Sequence, residues 1–127
     1  MQTGNKVKSK GILFIESSIP PSRGGVQRVS WLLAENFKRF GYDICFAFWL
    51  KDYDKVPKSN KIRYNEDESV KDLIAKFSQL VQECHVSYII CQGVIYKKIY
   101  DVLLFLKQKY HCKLISCLHN NPGFEKY

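Results

Sequence analysis

The sequence predicts an α/β protein, a doubly wound, Rossmann-like parallel sheet with helices on both faces. Three observations carry this. Short apolar runs alternate with longer stretches of helical period along the chain. Those runs are solid rather than alternating, as expected of strands buried on both faces. Strands separated by helices pair in parallel through right-handed crossovers. At 127 residues, 46% hydrophobic and 14% aromatic, the chain is one domain's worth and has the material for a core.

Residues 1–10 are polar, carry Lys6, Lys8 and Lys10, and have no apolar stretch, so they read as a flexible basic tail and not as a signal or anchor. Ile12, Leu13, Phe14 and Ile15 form the first strand. Pro20 and Pro21 then exclude helix and central strand, making residues 16–25 a loop. From Val26 the period becomes helical. Val26, Val29, Leu33, Phe37 and Phe40 share one stripe, Gln27, Arg28, Glu35, Lys38 and Arg39 lie opposite, and Gly41 supplies the stop. Residues 43–50 read as a second, central strand. A charged loop with Pro57 and a brief strand over 61–65 follow. Ser69, with Asp72 three residues on, marks a helix start before the stripe Val70, Leu73, Ile74, Phe77, Leu80, Val81 and Cys84. A fourth strand spans 87–91 and ends at Gln92 and Gly93. Ile99, Val102, Leu103, Leu106 and Tyr110 mark a third helix. A fifth strand over 113–118 runs into His119, Asn120, Asn121, Pro122 and Gly123.

Twenty Lys and Arg against twelve Asp and Glu give a formal charge of +8. This favours an anionic partner such as nucleotide phosphate, anionic lipid or nucleic acid, without choosing among them, or else is only a solvated basic surface. Cys45, Cys84, Cys91, Cys112 and Cys117 are odd in number and mostly sit in apolar runs, the pattern of buried free thiols in a reducing, cytoplasmic setting. No apolar run is long enough to span a bilayer. Cys112, Cys117 and His119 lack a fourth partner in sequence reach, and on a strand Cys112 points away from the other two, so no metal is expected.

Gly24 and Gly25 stand at the mouth of the first helix, where backbone N–H groups and the helix dipole suit an anion. A tight helix entry is the other use of such a pair. No G-x-G-x-x-G and no G-x-x-x-x-G-K-[ST] occurs, which argues against nicotinamide enzymes and P-loop NTPases. Glu16 with Ser17 and Ser18 has the place of a phospho-acceptor pocket. A receiver-type site needs an acidic cluster there and an Asp ending the third strand, near where Asn65 stands, and that reading is set aside.

Gly24-Gly25-Val26-Gln27-Arg28-Val29, with Leu32-Leu33-Ala34-Glu35 and Phe40-Gly41-Tyr42-Asp43-Ile44, resembles the opening of family 4 glycosyltransferases of the GT-B fold. Tyr42 stands where that family commonly has His. The resemblance implies that residues 11–127 are the N-terminal, acceptor-side domain, incomplete at its C-terminus. The other domain, carrying a Glu-x7-Glu pair, would hold most of the nucleotide-sugar, and this chain alone would be inactive. It further implies a retaining, metal-independent transfer from a nucleotide-sugar to a hydroxyl acceptor, in glycan, polysaccharide or glycolipid synthesis, with no separate cofactor. By the resemblance His119 is the catalytic candidate reaching the donor sugar, with Gly24, Gly25 and Asn120 toward donor phosphate and sugar. Gln27, Arg28 and Gln92 fall toward the acceptor. Each has a plainer use: His119 as a loop residue bonding to local backbone, Gln27 and Arg28 as ordinary polar surface.

Two other classes stay open. One is a non-catalytic basic α/β module on an anionic membrane surface or a protein partner, for which Trp31 among Arg28, Lys38 and Arg39 is a candidate contact. Packing of Trp31 against another part of the protein is its alternative. Nucleic-acid binding lacks both a recognition motif and an aromatic-basic strand face.

Overall fold

The computed structural model describes residues 10–18, 25–51, 56–65, 67–92 and 97–117. Five strands, β1 (Gly11–Ser18), β2 (Asp43–Lys51), β3 (Lys61–Arg63), β4 (Val86–Gln92) and β5 (Lys113–Cys117), form one all-parallel sheet of order β3-β2-β1-β4-β5. Three helices connect them: α1 (Gly25–Arg39), α2 (Val70–Glu83) and α3 (Lys97–Tyr110). The predicted α/β, Rossmann-like class is the one observed.

Strand parity divides the core into two layers. Leu13 and Ile15, with Cys45, Ala47, Ile89 and Cys91, face α2 and α3, whose Phe77, Leu80, Val102 and Leu103 are buried against them. Ile12 and Phe14, with Ile44, Phe46 and Ile90, face the other way, toward Ala34 of α1. The sheet is therefore covered on both faces, by one helix on one side and two on the other. The rings of Phe14 and Phe46 stack at 5.6 Å in the thinner layer, and Tyr64 meets Phe77 edge-on at 5.2 Å in the thicker one. Cys45, Cys84, Cys91 and Cys112 are buried free thiols.

The α1 stripe read from sequence is rotated in the fold. Ser30 and Ala34 lie against the sheet, at 0% and 2% exposure, whereas Val29 and Phe40 are 45% and 80% exposed. Small side chains let the helix axis approach the sheet closely, and Leu33 and Phe37 then pack from the flank. Trp31, expected on the polar side, is half-buried against the same layer and is not a free interfacial ring.

Helix ends follow their local chemistry. The Ser69 hydroxyl accepts the Asp72 N–H at 3.1 Å, capping α2. Ser69→Ala should cost about 1 kcal/mol, read as a lowered urea midpoint with unchanged slope. Gly41, at φ 92°, ends α1, while its N–H and that of Tyr42 return to Lys38 O and Phe37 O at 3.0 and 3.1 Å. The turns from α2 into β4 and from α3 into β5 are built alike, each on a left-handed histidine, His85 (φ 52°) and His111 (φ 59°).

Among the described residues no α-helix joins β2 to β3. Residues 56–60, including a 3-10 turn at Lys58–Asn60, replace it, and Asn60 Nδ2 ties that turn to Ile44 O at 2.9 Å. Among the described residues no helix is long and apolar enough to cross a membrane.

Candidate functional site

All five strands run the same way, so the loops after them leave from one edge of the sheet. Strand order reverses at the centre. From β1 the chain passes through α1 on one face to β2, and from β4 through α3 on the other face to β5. In open α/β sheets such departures to opposite sides mark the place where ligands bind, here beyond the carboxyl ends of β1 and β4.

Several of the residues singled out from sequence come together there. Gly25 is the first residue of α1, Gln27 and Arg28 lie in its first turn, and Gln92 is the last residue of β4. Gly24, His119 and Asn120 lie outside the described residues, the last two just past the end of β5. The first turn of α1 contains no acidic residue, so nothing on the helix itself offsets its positive end there.

The structure adds two residues to this edge. Glu16 lies one position past the Ile15–Cys91 pair on β1, as Gln92 does on β4, and on its other side it pairs with Phe48 of β2. Strand parity puts it on the α1 face, and it is 1% exposed. Among the described residues both its carboxyl oxygens lack a hydrogen-bond partner, as does the hydroxyl of Ser30, which is fully buried in α1. Burial raises the Glu16 pKa from 4.5 to about 8, and the nearby Ser30 hydroxyl pulls it the other way. The two groups are neighbours, close enough for the hydroxyl to favour the charged form, without a hydrogen bond of good geometry between them. Glu16 thus carries its proton at neutral pH and is a donor, not an anion.

The rim on the β3 side is fixed and internally neutralised. Glu68 accepts the Asn65 N–H at 2.8 Å and pairs with Lys76 at 2.8 Å, and Lys76 also reaches Arg63 O. The Lys76 bond holds the Glu68 carboxyl below its usual range. Lys98, in the first turn of α3, donates to Glu68 O at 3.1 Å, tying the start of α3 to the segment before α2.

A cavity of about 150 Å³ lies elsewhere, between α1 and the β2 edge, lined by Trp31, Ala34, Ile44, Phe46, Val56 and Asn60 among others. Its walls include Tyr42 and Asp43 at the amino end of β2, away from the carboxyl edge.

Sequence reading considered Glu16 only as a phospho-acceptor, and Ser30 not at all. The signal was present in both. An acidic residue follows directly on a solid apolar run, and a serine stands one turn before the sheet-facing Ala34.

The fold defines a Rossmann-like α/β domain, with Glu16 and Ser30 buried beside its topological switch point. Comparison with known protein families, with curated proteins and with solved structures finds no match to this chain.

Proposed function

We propose that the chain is the N-terminal, acceptor-side domain of a glycosyltransferase that moves a sugar from a nucleotide-sugar to a hydroxyl acceptor on the cytoplasmic side. The supporting observation is a glycine-mouthed helix, without acidic residues in its first turn, opening directly after the central strand of a parallel sheet at the switch point. The sequence resemblance adds the substrate class. On this reading the backbone at Gly24 and Gly25 faces donor phosphate, and Gln27, Arg28 and Gln92 face the acceptor. His119, two residues past β5, meets the donor sugar with Asn120 beside it. The protein's contribution is placement of the two substrates and stabilisation of the leaving phosphate by N–H donors and cations. Retention and metal independence come with the family reading, as does a second Rossmann-like domain completing the cleft.

The test is sugar transfer by the complete gene product from a panel of nucleotide-sugars. His119→Ala should lower turnover at least a hundredfold while moving the thermal midpoint little; unchanged turnover would remove His119 from the site.

A second reading has one observation of its own. Tyr100, Leu104 and Phe105 are exposed on α3 among Lys97, Lys107 and Lys109, a face suited to an anionic membrane. Salt-sensitive binding to anionic vesicles, with no transfer from any nucleotide-sugar, would favour that non-catalytic module.

A further inference from the structure

Buried polar atoms in folded proteins are nearly always paired, and an orphan calls for a specific cause. Three such atoms, the Glu16 carboxyl oxygens and Ser30 Oγ, are neighbours here. They lie at the carboxyl end of β1, at the topological switch point and beneath the early turns of a helix that begins on a glycine. We propose that Glu16 and Ser30 form a recognition site for a phosphate group of a ligand seated between the carboxyl ends of β1 and β4. The proposal rests on the α1 mouth being an oxyanion site and adds two residues that the glycosyltransferase reading does not include.

The chemistry at this point consists of donors. The protonated Glu16 carboxyl offers an O–H, Ser30 offers a second, and the first turn of α1 offers backbone N–H groups. Such a set matches an acceptor-rich oxyanion. A cation would need the ionised carboxylate, which burial disfavours, and among the described residues no group of three His, Cys, Asp or Glu side chains is placed to hold a metal ion. Phe48, beside Glu16 on β2, carries the Arg63 guanidinium 5.5 Å from its ring centroid, which puts a fixed positive charge on the same row.

This predicts a pH signature. The positions around Glu16 are Ser30 on α1, Phe48 on β2, Gln92 on β4 and, across Phe48, Arg63 on β3. Ser30, Phe48 and Gln92 carry no group that ionises between pH 6 and 9.5. Ionisation of Glu16 replaces a donor with a buried negative charge, and an oxyanion is expelled.

Inorganic sulfate is the probe, because its charge is constant over that range. Amide spectra of the full 127-residue chain would be followed during sulfate titration. Sulfate should shift the amides of the first turns of α1. With the carboxyl pKa at about 8, affinity should fall about thirtyfold between pH 7 and 9.5. Glu16→Gln, which keeps a donor and cannot ionise, should hold nearly constant affinity over the same range. Ser30→Ala should weaken binding severalfold at pH 7. If wild type and Glu16→Gln lose affinity in parallel, the Glu16 role is overturned while the oxyanion reading of the α1 mouth survives. Shifts confined to surface lysines, or none in α1, overturn both, as does a buried water bridging Glu16 and Ser30 with no sulfate response.

Discussion

Between pH 5 and pH 9 the folded chain should lose several kcal/mol of stability that a Glu16→Gln variant retains. The folded-state carboxyl sits at about 8 against an ordinary value of 4.5. The folded state therefore binds this proton more tightly than the unfolded state does. The associated stability is fully present below pH 4.5 and is lost progressively as pH rises through 8. The limit is about 5 kcal/mol, at roughly 1.4 kcal/mol per pH unit, and partial hydration of the ionised group lowers it. At pH 5 the two proteins should agree within about 1 kcal/mol, since each buries one neutral polar group. Urea unfolding of both at half-unit pH intervals measures the difference. A constant gap across the range would show that Glu16 titrates normally in the folded state and is not desolvated.

Gly11→Ala should be at least as damaging, by about 3 kcal/mol or more. A Cβ on Gly11 would come within 2.1 Å of the Cys84 carbonyl oxygen and 3.0 Å of its carbon. These are backbone atoms of the turn joining α2 to β4, which no rotamer change can move aside. The Gly11 N–H also donates to His85 O at 2.8 Å, so the approach that excludes a side chain is the one that makes this hydrogen bond. The β1–β4 register already shifts between Gly11 and Ile12, where the chain bends to meet this turn. A lowered urea midpoint with reduced soluble yield is the expected readout; a variant as stable as wild type would mean that the turn yields.

Most of the fold was legible because its signals are local. Solid apolar runs at residues 12–15 and 43–50 gave central strands, and Ser69 with Asp72 gave the start of α2. The orientation of α1 was not legible. A hydrophobic stripe shows which residues prefer burial, but Ser30 and Ala34 won the sheet-facing positions because they permit close approach, and that depends on the opposing strands. Glu16 was hidden for a similar reason. Its neighbours Ser30 and Phe48 meet it only after β1, α1 and β2 have assembled. Gly25, Gln27, Arg28 and Gln92 were placed at the right edge because topology alone sends them there. Topology cannot supply the roles of single side chains.

The central position of β1 also bears on the order of assembly. Ile12 meets Ile44 across a single helical connection, but meets Tyr88 only after β2, β3 and α2 have been made. The entropy of closing the longer loop falls due before the β1–β4 contacts return anything. One seam of the sheet is thus inexpensive and local, the other distant, and the switch point lies on the distant one. The carboxyl edge between β1 and β4 then exists only once the last large piece of chain has docked, so a nascent or partly unfolded molecule lacks it altogether.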